Sequence, residues 1–212
     1  MTKLDILSDP ICPWCYIGKA HLDKALADHQ DHPFIIEWHP FQLNPDMPPS
    51  GMNRREYLEK KFGGKHQAIK VYSKIEQSAS AIELPIDFAA MERTPNTIDA
   101  HRLIHWAGLE NKQQLMVDAL FKAYFCMGLD IGDRNILCEV AEVIGLEFGV
   151  MARLLDSASD IKLIKDRDAH SRLMGVSAVP TFIVGNQHAI PGAQTPDVWE
   201  SLISELNGQS AD

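Results

Sequence analysis

The sequence predicts an α/β fold in which a long helical block is inserted into a small sheet-forming unit. A strand-helix-strand run opens the chain, an almost wholly helical pattern fills its middle, and a strand-turn-strand run followed by a helix closes it. The order β-α-β, helices, β-β-α divides the chain into a unit of residues 1–50 and 175–212 and an all-helical insertion of residues 51–174.

Each element has a local reason. Lys3-Leu4-Asp5-Ile6-Leu7-Ser8 reads as a strand, and Lys19 to Asp28 reads as a helix. Pro13 fits the first helical position, where its missing N–H is no loss. Phe34 to Leu43 is a second strand, rich in aromatic and β-branched residues and introduced by Asp31-His32-Pro33. A βαβ unit of this size joins parallel strands by a right-handed crossover, so both strand ends point to the face that carries Cys12. Asn44 to Gly51, with its prolines, ends regular structure.

Helical spacing then marks Arg54 to Phe62 and Gln67 to Ala81. Thr94-Pro95-Asn96-Thr97 is a capping signal for a helix reaching Gly108, Lys112 to Met127 follows, and Asp133 caps the next helix. Leu146 to Asp156 and Ile161 to Met174 complete the block, with Gly175 as a C-terminal stop. Val179 to Val184, the turn Gly185-Asn186 and Gln187 to Ile190 form a hairpin. Thr195-Pro196 caps a last helix, Asp197 to Leu206, and Asn207 to Asp212 is read as a frayed tail.

The chemistry concentrates at Cys12-Pro13-Trp14-Cys15, on the first strand-to-helix turn. The first helical N–H groups lack partners inside the helix and the positive end of its dipole lies there, so a Cys12 thiolate is favoured. A thiolate, unlike a thiol, is a nucleophile. Cys15, one helical turn deeper, can reach back to Cys12 and close a small disulfide ring that opens by exchange. The rival reading is half a zinc site. It would need a second close pair, and Cys126 and Cys138 are far apart with no cysteine or histidine at ligand spacing, so no metal is expected. Those two cysteines lie on apolar helix patterns and read as small buried hydrophobes.

Composition narrows the partners. A formal charge of −9 argues against nucleic acid and anionic membranes, and no apolar run approaches a membrane span. With 45% hydrophobic residues the chain can bury a full core. The N-terminus enters a strand pattern directly, without a basic start and apolar signal core, so the expectation is a cytoplasmic protein in which a C-x-x-C is chemical rather than structural.

Asp9-Pro10-Ile11-Cys12-Pro13-Trp14-Cys15-Tyr16-Ile17-Gly18, Pro40-Phe41-Gln42-Leu43-Asn44-Pro45, Asn96-Thr97 with Ala100-His101-Arg102-Leu103, and Gly175-Val176 with Val179-Pro180-Thr181-Phe182 together resemble the DsbA-like branch of the thioredoxin superfamily, and within it the FrnE subfamily. The resemblance implies a thioredoxin fold with a helical insertion and dithiol–disulfide exchange with protein or small-molecule thiols and disulfides. It makes Cys12 the attacking thiol, Cys15 the resolving one and Pro180 a cis-proline whose loop faces them. Val179 could then pair its backbone with an extended substrate; the bland reading is that Val-Pro-Thr merely starts an edge strand.

The Pro-Trp dipeptide lacks a histidine that would hydrogen-bond the Cys12 sulfur. The expectation is therefore a moderately lowered Cys12 pKa and a less oxidising disulfide, suited to reduction or isomerisation. Trp14 reads as a substrate platform or as a surface aromatic. Asn96, Thr97 and His101 resemble positions beside glutathione in the kappa-class glutathione transferases and 2-hydroxychromene-2-carboxylate isomerases, although Asn96 and Thr97 also explain themselves as helix caps. His39 reads as packing rather than proton transfer, and His101 with His105 as a solvated helix face rather than a metal pair. No bound cofactor is implied, with glutathione as a candidate co-substrate. The alternatives are a glutathione-dependent isomerase or transferase of the kappa-like type, in which serine usually replaces the first cysteine, and a redox-independent chaperone.

Overall fold

The computed structural model describes residues 1–209. Its sheet has the strand order β2-β1-β5-β6, from β1 (Thr2–Ser8), β2 (Phe34–Pro40), β5 (Thr181–Val184) and β6 (His188–Pro191). β1 and β2 run parallel around α1 (Pro13–Asp28), as a βαβ crossover requires, and β5 returns antiparallel on the other side of β1. The central strand accordingly buries Leu4, Ile6 and Leu7. Gly185 and Asn186 both take positive φ, 60° and 59°, in the three-residue loop 185–187 that joins β5 to β6.

Between β2 and β5 the chain makes β3 (Met52–Asn53), α2 (Arg54–Phe62), α3 (Lys65–Ser80), β4 (Arg93–Thr94), α4 (Ile98–Leu109), α5 (Gln113–Phe121), α6 (Arg134–Val143), α7 (Phe148–Asp156) and α8 (Ile161–Leu173). The helix α9 (Pro196–Gln209) follows β6. Asp133 caps α6 as expected, accepting from the N–H groups of Asn135 and Ile136.

Several elements differ from the sequence reading. β3 and β4 pair antiparallel inside the helical block, too short to leave a period in the sequence. The run from Lys112 to Met127 is α5 continued by a π turn, Lys122–Cys126. β2 stops at Pro40, because the next residues turn away to give the Gln42 N–H to Asp168 (2.7 Å) and the Leu43 N–H to Asp9 (2.6 Å). β5 starts at Thr181. The last helix continues to Gln209, so residues 207–209 are helical where a frayed tail is expected; residues 210–212 lie outside the described part.

One core joins the sheet to the helices. Tyr16 of α1 stacks on Phe125 with ring centroids 5.2 Å apart, and Trp38 of β2 meets Phe121 edge-on at 6.5 Å. Lys19 is buried and ion-paired to Asp23 of its own helix and Asp118 of α5. Trp199 of α9, a helix that packs against α1, meets Phe182 of β5 edge-on at 4.7 Å. The Tyr16 and Lys19 contacts tie the N-terminal half of α1, which carries the Cys12 turn, to the helical block.

Candidate active site

Cys12 is the N-cap residue of α1, in extended backbone (φ −86°, ψ 113°), and Pro13 takes the first helical position. The Cys12 N–H donates to the Asp9 carbonyl (2.9 Å), closing the turn. The Cys12 carbonyl accepts from the N–H groups of Cys15 (3.0 Å) and Tyr16 (3.2 Å), starting the helix. Its sulfur makes no capping bond to the helix. It reaches across to the loop ahead of β5, where the thiol donates to the Val179 carbonyl at 3.6 Å. The Val179–Pro180 peptide is cis. Gly18 permits the approach of that loop, since a Cβ there would lie 3.1 Å from Pro180 Cγ and 3.3 Å from Ala193 Cα.

Both thiols are free, and Cys15 is 1% exposed. Burial above all, then a hydrogen bond with the Cys12 sulfur, pushes the Cys15 thiol well above its ordinary pKa; the Ser8 hydroxyl and the Asp9 backbone oppose this only partly. Cys15 therefore rests protonated next to Cys12.

Cys12 opens into a cavity of about 250 Å³ between the sheet unit and the helices. Ile11, Pro13, Trp14, Val179, Tyr57 and Tyr72 are among its walls, and Arg54 and Lys61 also face it. The cavity thus unites Cys12, Trp14 and Val179 of the predicted site residues, with Trp14 36% exposed at the rim. Pro180 sits behind Val179 against Gly18.

Asn96, Thr97 and His101 do not line this cavity. The Asn96 side chain donates to the Met47 carbonyl (2.6 Å) and accepts from the Ile98 N–H (3.0 Å), so it is Asn96, rather than Thr97, that caps α4. Thr97 is buried, accepts from the Gln42 side chain (3.3 Å) and hydrogen-bonds Asp9. His101 is buried beneath the cysteine loop with its Nε2 3.7 Å from an Asp9 carboxylate oxygen and no hydrogen-bond partner.

Asp9 is the residue around which this layer forms. It is fully buried and accepts from the backbone N–H groups of Leu43 (2.6 Å) and Ile11 (3.4 Å). Burial outweighs those bonds and raises its pKa to about 7, while burial lowers that of His101 to about 4. The sequence signal for Asp9 was its place three residues before Cys12 at a strand end; Arg54, Lys61 and Tyr72 gave none beyond helix periodicity.

His39 bonds Asp5 at 2.6 Å and lies outside the Cys12 cavity. Asp5, Glu37 and His39 are, among the described residues, the group of metal-ligating type that comes together, but Lys3 Nζ already sits 2.9 Å from Asp5 and 3.0 Å from Glu37. Cys138 is buried; Cys126, half-buried, lies 3.5 Å from the Tyr16 hydroxyl. Phe121, Tyr124 and Phe125 are core residues, whereas Met127 is exposed. No helix of the described residues is long and apolar enough to cross a membrane.

A four-stranded thioredoxin-type sheet with a helical insertion, carrying a paired-cysteine turn opposite a proline loop, defines the DsbA-like class of fold. The chain belongs to the DSBA-like thioredoxin domain family, whose model matches residues 3–204. It superposes on the probable DsbA oxidoreductase SCO1869 of Streptomyces coelicolor with a TM-score of 0.87 at 26% identity, covering 98% of this chain and 91% of that one. A 2-hydroxychromene-2-carboxylate isomerase gives 0.77 at 17% identity over 99% and 98% of the two chains. The cytosolic disulfide reductase DsbM of Pseudomonas aeruginosa, in its structure with GSH, gives 0.67 at 17% over 96% and 98%.

Proposed function

We propose that this chain is a thiol–disulfide oxidoreductase of FrnE type that works in the cytoplasm, in the reducing or isomerising direction. The observation that carries the reading is the junction of Cys12, at the head of α1, with the Val179 carbonyl at 3.6 Å, both on the wall of one cavity. The Cys12 thiolate attacks one sulfur of a substrate disulfide, forming a mixed disulfide and releasing the first substrate thiolate. Cys15 then gives up its proton and attacks Cys12 Sγ, so the second substrate thiol leaves and the Cys12–Cys15 disulfide forms. The substrate gains two electrons and the protein loses two. A small-molecule thiol such as glutathione, the ligand in the DsbM structure, returns them as co-substrate.

The raised pKa of Cys15 suits its role: it stays a thiol, and harmless, until a mixed disulfide at Cys12 gives it a target. The cis Val179–Pro180 loop presents backbone polar groups beside the attacking sulfur, where an extended substrate could pair. Reduction of insulin disulfides with dithiothreitol or glutathione as electron source tests the reading. Wild-type protein accelerates turbidity and Cys12→Ser does not; equal rates for the two would overturn it.

The fold match to the isomerase supports a second reading, a glutathione-dependent isomerisation or transfer in which glutathione sits in the same cavity. Glutathione-dependent turnover of an isomerase or conjugation substrate that survives Cys15→Ser would favour it over disulfide exchange.

A further inference from the structure

The cavity beside Cys12 has an unusual charge. The chain carries 29 acidic and 20 basic residues, yet the residues lining this cavity include two cations, Arg54 and Lys61, and no Asp or Glu. Arg54 is only 7% exposed. Its Nη1 donates to the Tyr124 hydroxyl (3.2 Å), and its guanidinium carbon lies 4.9 Å from the centre of the Tyr72 ring and 5.7 Å from that of Phe88. It takes part in none of the ion pairs found among the described residues.

The other deeply buried cations are neutralised. Lys19 has Asp23 and Asp118, and Arg102 has Asp99 together with the carbonyls of Leu154, Ser157 and Ser159. A buried charge without a counter-ion is costly, and such charges are normally paired. Arg54 also lines a second, larger cavity of about 560 Å³ with Leu58, Ala68, Ile69, Tyr72 and Phe88, so it is shared by the walls of both spaces. Glu59, on the wall of that second cavity, is engaged by Arg55 at 3.0 Å, and Glu92 gives Arg54 only its backbone carbonyl. Lys61, at the edge of the Cys12 cavity, is held by neutral oxygens, Tyr57 Oη at 2.6 Å and Asn44 Oδ1 at 3.4 Å.

We infer that this site selects acidic disulfides: the carboxylate of a substrate with an apolar or aromatic arm pairs with Arg54, Lys61 draws it in at the rim, and its sulfur then lies against Cys12. The inference rests on the exchange reading above and adds the substrate class. In the step it governs, Cys12 thiolate displaces one sulfur of the acidic disulfide, forming a mixed disulfide and releasing an anionic thiolate.

Two aromatic disulfide reagents separate the terms: 5,5′-dithiobis(2-nitrobenzoate), with a carboxylate on each ring, and neutral 2,2′-dithiodipyridine. The rate of each at Cys12 is measured against the same reagent with a free model thiol, which cancels intrinsic reactivity. The wild-type protein favours the acidic reagent, with a preference that shrinks as salt is added. In Arg54→Met the acidic-over-neutral ratio falls about tenfold, the lower end of what a hydrogen bond to a charged group supplies; Arg54→Lys restores part of it, and Lys61→Met lowers it less. Should Arg54→Met fail to fold, competition on the wild-type protein reads the same site: 2-nitrobenzoate, which has no sulfur, slows the acidic reagent in preference to the neutral one. An unchanged ratio in folded Arg54→Met, or no competition, overturns this inference alone. Absence of any Cys12-dependent reaction with either reagent overturns the exchange reading and this inference with it.

Discussion

Replacing Asp9 by Asn, and separately His101 by Asn, should tilt the pH dependence of stability in opposite directions. Asp9 has a folded pKa of about 7 against an ordinary 3.8, and His101 about 4 against 6.5, both from burial. At about 1.4 kcal/mol per pH decade, the folded state resists ionising Asp9 by roughly 4 kcal/mol and protonating His101 by roughly 3 kcal/mol. Between pH 4 and 7 the folded chain keeps a proton on Asp9 that the unfolded chain has lost, so this residue makes stability fall as pH rises. Between pH 4 and 6.5 the unfolded chain holds a proton on His101 that the folded chain refuses, so that residue makes stability rise with pH. In the wild type the two slopes largely offset. Relative to wild type, Asp9→Asn should therefore gain up to ~4 kcal/mol in going from pH 4 to 7, and His101→Asn should lose up to ~3 kcal/mol in going from pH 4 to 6.5. Urea unfolding at half-unit steps between pH 4 and 7.5 gives the curves. Parallel curves for all three proteins would refute the reasoning.

Other perturbations follow from single contacts. Cys15→Ser should accumulate a Cys12 mixed disulfide after mixing with a disulfide substrate, visible as an intact-mass adduct that dithiothreitol removes, because the resolving sulfur is gone. Gly18→Val would force the Pro180 loop away from α1, where even a Cβ stands 3.1 Å from Pro180 Cγ, and should slow insulin reduction roughly tenfold if the loop moves by the ångström at which positioning costs that much or more. Arg102→Ala would leave the buried carbonyls of Leu154, Ser157 and Ser159 without their donor, while Asp99 keeps Arg134 at 3.1 Å, costing about 3 kcal/mol or more in a denaturant melt.

The parts legible in the sequence were those whose cause is local. The opening strand, the Pro13 helix start, the Asp133 cap and the Gly185-Asn186 hairpin each follow from a few adjacent residues, and the structure has all of them. What escaped depends on contacts between distant segments. Asn96 and Thr97 both read as helix caps; Asn96 is one, but the Thr97 hydroxyl is taken by Gln42 and Asp9. His101 reads as a ligand-facing residue because its helix start was legible while its rotation toward Asp9 was not. Arg54 reads as an ordinary first-turn residue, since nothing near it in sequence indicates that it points inward among Tyr72, Phe88 and Tyr124. The pairing of β3 with β4 has the same origin, two residues on each side brought together by the fold.

The placement of β1 has a consequence for how the protein is made. Its neighbour β2 is available early, but its other neighbour, β5, and the Val179 loop lie near the C-terminus. Translation proceeds from the N-terminus at about 5–20 residues per second, so a ribosome exposes Cys12 and Cys15 well before the strand that completes their surroundings exists. During that interval both sulfurs are open to any oxidant or disulfide the nascent chain meets, an exposure that ends when the last segment docks.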